Sequence, residues 1–191
     1  MSPPFFTVPG MNTKDAGKVS DLLQRRLVSL IDLQLTLKHI HWNVVGPTFI
    51  GVHEMLDPQV DGVRAMVDDT AERIATLGGS PNGLPGNLVE ARSWDDYSLG
   101  RATVLEHLGA LDQAYTGVVA EHRAAIDTVE DLDKVTQDML IGQSEHLERY
   151  HWFVRAHLEN AGGHLSTEGS TGEKAAARAA AKKTSTRRRA S

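Results

Sequence analysis

The chain has 191 residues, a formal net charge of -5 and no cysteine. That length favours one domain with a substantial core. The lack of thiols excludes disulfides, thiolate zinc sites, iron–sulfur clusters and cysteine nucleophiles, leaving imidazole and carboxylate as metal ligands. No run approaches the roughly 18 apolar residues that span a bilayer, and MSPPFFTVPG at the N-terminus has neither the basic nor the apolar region of a signal peptide. A soluble, cytoplasmic protein with no membrane partner is expected.

Four long amphipathic segments follow in chain order, and no period-two alternation is long enough for a sheet. After an extension over residues 1–11, Asn12 is a good N-cap, with Asp15 three residues on. Val19, Leu22, Leu23, Leu27, Leu30, Leu33, Leu37 and Ile40 then recur every three or four residues until Gly46-Pro47 ends the helix. The second segment runs from about Phe49 to Leu77 and stops at GGSPNG, with a kink or a missing hydrogen bond expected at Pro58. The third runs from about Leu99 to Val129, and the fourth from Leu132 to Ala161.

The second and third are joined by a long link, residues 78–98, with room for a short helix around SWDDYSLG. One long crossover among short joints predicts an all-α, ferritin-like four-helix bundle with an extra helix in that link, spanning 12–165. Residues 166–191 are small, polar and basic, and are expected to be disordered. Seven Lys or Arg against one Glu in the last twenty residues leave about -11 on the first 171.

The chemistry concentrates in HIHWNVVGPTFIGVHEMLD, residues 39–57. His41 lies one turn beyond Leu37 and faces inward, whereas His39 points nearly opposite. Folding at Gly46-Pro47 can bring His41 and His53 near Asp57, one turn after His53. These N, N and O donors suit Fe(II) or Zn(II), and spacing does not choose between them. Asp57, Asp61, Asp68 and Glu72 form an acidic stripe beside the apolar face of the second helix. A solvated stripe and a core histidine would explain the same pattern without a metal.

Asp68 and Glu72 lie 11 and 15 residues beyond Asp57, about 16 and 22 Å along a helix. One ion cannot reach both groups in one chain. Either these two are surface acids, or the second helix packs antiparallel on its copy in a two-fold dimer and completes two equal sites. A di-iron centre within one bundle needs two Glu-x-x-His motifs, and only Glu148-Arg149-Tyr150-His151 fits, so that arrangement is disfavoured. His151, Trp152 and His157 read as core or interface residues.

HWNVVGPTFIGVHEMLD, followed by DDTAERIATLGG, resembles the signature of the Dps family, the DNA-binding miniferritins of starved bacterial cells. The helical pattern is similar across about residues 5–165, and the basic tail resembles those of actinobacterial members. The resemblance implies a dodecamer of two-fold dimers around a hollow core. In it, His41, His53 and Asp57 of one subunit face Asp68 and Glu72 of the next, as both catalytic and metal-binding residues. It implies two Fe per inter-subunit centre, oxidation of Fe(II) by hydrogen peroxide or O2, a ferric oxyhydroxide core and no haem.

Trp42 is a possible one-electron donor, and packing at the helix end explains it equally well. Asp138, with Asp133, is a possible iron-entry pore position, although Lys134 interrupts the acidic run. Lys174, Arg178, Lys182, Lys183, Arg187, Arg188 and Arg189 could neutralise DNA phosphates without reading bases, which implies a nucleoid-associated protein. An architectural DNA-compacting protein with a vestigial or zinc-occupied metal site is the alternative.

Overall fold

The computed structural model describes residues 4–188, with side chains described through Lys182. In chain order it contains α1 (Thr13–Asn43), β1 (Val44–Val45), α2 (Phe49–Thr76), α3 (Pro85–Ala91), β2 (Ala102–Thr103), α4 (Val104–Val129), α5 (Lys134–Leu158) and α6 (Glu173–Arg188). The four expected long helices are all present. As expected, Asn12 caps α1, its Oδ1 accepting from the Asp15 backbone N–H at 2.9 Å. α2 continues through Pro58 as one helix, although proline has no N–H to give to the helical ladder.

Two compact units divide the chain, and each long helix contributes a segment to both. The first comprises Met1–Leu35, Asp61–Trp94 and Ala120–His146. Its core joins Val19, Leu22, Leu23 and Leu27 of α1 to Ile74 of α2 and Leu77 just beyond it, Ala125 and Val129 of α4, and Leu140 of α5. Each fully buried leucine contributes about 2 kcal/mol by leaving water. Gly78 turns the chain at φ +84, and a Cβ there would stand 2.1 Å from the Phe6 carbonyl oxygen, so the N-terminal extension lies directly against this turn.

The link after α2 is clamped in the same unit. Gln24 Nε2 donates to the Asn82 carbonyl at 2.8 Å, while the Asn82 N–H donates to Gln24 Oε1 at 2.9 Å. The short helix expected in this link exists, but as α3, eight residues earlier than SWDDYSLG begins. Pro85 at its first turn explains the placement, because its fixed φ and missing N–H suit a helix start. Arg26, Ser29 and Ser93 all donate to the Glu121 carboxylate, tying α1 and the link to α4.

The second unit comprises Thr36–Val60, Asp95–Val119 and Leu147–Ser191. Val44 and Val45 pair in parallel with Ala102 and Thr103, a two-residue ladder too short to leave a period-two signature in the sequence. Asp112 of α4 is buried and takes hydrogen bonds from His151 Nε2 at 2.7 Å, Arg155 Nε at 2.9 Å and Thr167 Oγ1 at 2.8 Å. Burial alone would raise this carboxyl, but the three donors bring it down to about 2.

The expectation of a disordered tail is corrected over residues 173–188, which form α6. Composition hid two anchors. Thr167 is pinned to Asp112, and Gly109 opens a notch on α4, where a Cβ would stand 2.6 Å from the Ala176 carbonyl oxygen, a space only glycine leaves free. Ala176, Ala177 and Ala180 are buried as a result.

Candidate metal centre

The turn between α1 and α2 carries the site. Gly46 adopts φ +115, which glycine tolerates without strain, and reverses the chain so that the last turn of α1 meets the first turns of α2. His41 is buried and His53 half-buried, and their rings stack with centroids 3.6 Å apart and planes 22° apart. The two residues exchange hydrogen bonds. His41 Nδ1 donates to the His53 carbonyl oxygen and His53 Nδ1 to the His41 carbonyl oxygen, both at 2.9 Å.

A neutral imidazole with its proton on Nδ1 carries its lone pair on Nε2. Anchoring one ring nitrogen to a carbonyl is also how metal-binding histidines are held in one tautomer and orientation. Asp57 Oδ1 is 3.3 Å from His41 Nδ1, so the structure gathers His41, His53 and Asp57 at one place. His39 is directed elsewhere, with Nε2 donating to the Leu99 carbonyl at 2.8 Å. Trp42 is 70% exposed and Phe49 meets His53 edge-on at a centroid distance of 6.0 Å.

One participant was missed in the sequence. Lys38 Nζ donates to Asp57 Oδ1 at 2.6 Å, and this ammonium hydrogen bond, aided by the nearby His41, holds the Asp57 carboxyl below the usual carboxylate range. The signal was available, because Lys38 precedes His41 by three residues and shares its helix face. Among the described residues, no group of three or more His, Cys, Asp or Glu is arranged to hold an ion by itself. Asp68 and Glu72 are exposed further along α2. What one chain assembles is therefore two oriented imidazoles and a carboxylate engaged by a lysine.

The ferritin-like domain family matches residues 20–162. Over 178 residues the chain is 58% identical to the DNA protection during starvation protein of Mycolicibacterium smegmatis, covering 93% of this chain and 97% of that one. This chain belongs to the Dps family. The solved structure of Mycobacterium smegmatis Dps superimposes with a TM-score of 0.87 at 57% identity, covering 92% of this chain and 99% of that one. DpsA14 from Streptomyces coelicolor gives 0.84 at 60% identity, covering 85% and 97%. The all-α ferritin-like fold expected from the sequence is thus shown, together with the family.

Other residues singled out in this Dps-family chain are placed as follows. Asp133 is engaged: Arg73 Nη2 donates to its Oδ2 at 2.6 Å, and both the backbone and the hydroxyl of Thr136 donate to the same oxygen. Burial raises the Asp133 carboxyl, and these donors outweigh it to leave the group below its usual range. It caps α5, whereas Asp138 is exposed one turn further on. Lys174, Arg178 and Lys182 lie exposed along α6. Lys183, Arg187 and Arg188 fall in α6 without described side chains, and Arg189 lies outside the described residues. Among the described residues, no helix is long and apolar enough to cross a membrane.

Proposed function

We propose that this Dps-family chain is a ferroxidase and iron store that also binds DNA without reading its sequence. The observation that carries the first half is the reciprocal anchoring of His41 and His53 through Nδ1, which leaves both Nε2 lone pairs free to bind an ion, with Asp57 gathered at the same turn. Imidazole and carboxylate are suitable donors for Fe(II), the substrate. Asp68 and Glu72 of a second copy would supply the remaining oxygens, since about 16 to 22 Å of helix separates them from Asp57 in the same chain. Two such sites per two-fold dimer, and twelve copies around a mineral store, make up the assembly proposed.

Two Fe(II) ions give one electron each to hydrogen peroxide. The O–O bond breaks, two protons are taken up and two waters leave, so no hydroxyl radical is released. Carboxylates favour the ferric product through their charge, and the Fe(III) formed passes into the cavity as ferric oxyhydroxide. Exposed Trp42 is a further one-electron source beside the site. Asp138 is the better of the two pore positions, because Asp133 already serves Arg73 and Thr136.

DNA binding rests on the charge split and on relatives named for DNA protection during starvation. An acidic body with a basic C-terminal segment makes phosphate contacts there, in the cytoplasm and on the nucleoid. Stopped-flow oxidation of Fe(II) by peroxide tests the metal reading. The Asp68→Ala, Glu72→Ala double variant should be nearly inactive, and a wild-type rate would reject the assignment. Light scattering should give about 250 kDa, twelve copies of the 20.8 kDa chain.

The engagement of Asp57 by Lys38 favours one second reading, an architectural DNA-compacting protein with a vestigial or zinc-occupied site. Metal analysis after anaerobic iron loading separates the two. A ferric core supports the ferroxidase, whereas bound zinc or no metal supports the architectural protein.

A further inference from the structure

Within the second unit, contacts among the described residues hold the C-terminal segment in place. Thr167 Oγ1 donates to the buried carboxylate of Asp112 at 2.8 Å. The Glu173 carboxylate accepts the Ser98 backbone N–H at 2.7 Å. At Gly109 of α4, a Cβ would stand 2.6 Å from the Ala176 carbonyl oxygen, 2.9 Å from its carbon and 3.0 Å from the Ala180 Cβ. These are mostly backbone atoms, so α6 can sit this close only because residue 109 has no side chain.

Docking divides α6 into two faces. Ala176, Ala177 and Ala180 are buried, and Lys174, Arg178 and Lys182 are exposed on the opposite side. At four-residue spacing the three cations share one stripe and rise by about 6 Å at each step. A free polycationic tail would lose the freedom of each side chain and of its backbone on meeting DNA. A helix already held in place has met much of that cost by folding.

We propose that α6 is a docked, preorganised phosphate-binding face for duplex DNA, with Gly109 as the residue that sets its position. This rests on the DNA-binding reading above and adds that affinity depends on docking as well as on charge. Lys174, Arg178 and Lys182 make the ordered contacts, and Gly109, Asp112 and Thr167 are positioning residues.

The test changes docking at constant charge in the full-length protein. Gly109→Ala inserts the obstructing methyl, and Gly117→Ala on the same helix is its control, since nothing lies within 4 Å of a Cβ there. Both changes favour the α4 helix, so both variants should fold. Trypsin cleavage after Lys174, Arg178 and Lys182 reports release of α6, and titration of a random-sequence 30-base-pair duplex at several salt concentrations reports binding.

Gly109→Ala should be cut about tenfold faster and bind the duplex at least about fivefold more weakly, with a shallower dependence on salt. Gly117→Ala should match wild type, and Thr167→Val, also charge-neutral, should show the same two changes to a smaller extent. A Gly109→Ala protein that is released yet binds as wild type would overturn the proposal, and so would one that is not released. The DNA reading itself would survive both results. It would fall, and this proposal with it, if a chain ending at Gly172 kept full affinity.

Discussion

His41 and His53 each donate Nδ1–H to the other's backbone carbonyl oxygen at 2.9 Å, so either ring is oriented by the residue it stacks on. Loss of one imidazole removes a donor and the stacking partner of the other ring, while the backbone carbonyl that anchors the remaining ring stays in place. Substituting His53 by Ala should weaken Fe(II) binding by at least about a hundredfold, more than the 10- to 100-fold typical of losing only an orienting partner. Anaerobic calorimetric titration measures this, and a loss of less than about tenfold would show that the pair is structural.

Lys38 competes with any cation for Asp57, whose Oδ1 it holds at 2.6 Å. Lys38→Gln should strengthen divalent-metal binding several-fold and let the Asp57 carboxyl return toward its ordinary range. Titration with Co(II) in place of Fe(II) avoids oxidation during the measurement. Weaker binding in the variant would mean that Lys38 orients Asp57 for the metal rather than competing with it.

Asp112 joins α4, α5 and the segment leading to α6 through one buried carboxylate. Asp112→Ala leaves His151 and Arg155 without their acceptor and should destabilise the fold by about 3 kcal/mol. Thr167→Val removes a single hydrogen bond and should cost about 1 kcal/mol. Urea denaturation at one fixed protein concentration checks both, because assembly would otherwise enter the comparison. Equal losses in the two variants would show that the ion pairs add nothing to the hydroxyl contact.

His122 is buried with Nε2 against Gln143 Oε1 at 3.0 Å, and burial pushes its imidazole down from 6.5 to about 4. As pH falls from 6.5 to 4, the unfolded chain takes up a proton that the folded chain refuses. This residue's contribution to stability is therefore complete above pH 6.5, declines across that window and levels off below about 4. The decline should be about 3 kcal/mol. His122→Gln should lack that component, which would appear as a smaller difference in urea midpoint between pH 7 and pH 4.5. An unchanged pH dependence would place the titration elsewhere.

Helical periodicity made the four long helices legible, because leucines three and four apart have few alternatives to a buried stripe. The pairing of His41 and His53 was legible too, since Gly46-Pro47 must reverse the chain between them. The role of Lys38 went unread because a lysine on a helix is ordinarily solvated. α6 was hidden for a related reason. Its alanines carry little hydrophobic signal, and its docking depends on a glycine 67 residues before Ala176 in the chain.

In the assembly proposed above, one chain holds half of a metal centre and a second copy holds the rest. The direct measurement combines two inactive variants, His53→Ala, Asp57→Ala and Asp68→Ala, Glu72→Ala, by refolding them together in equal amounts. Random two-fold pairing makes half the dimers mixed, and each mixed dimer has one intact site, so peroxide-driven Fe(II) oxidation should return to roughly a quarter of wild type. A refolded mixture as inactive as its two components would contradict the shared site.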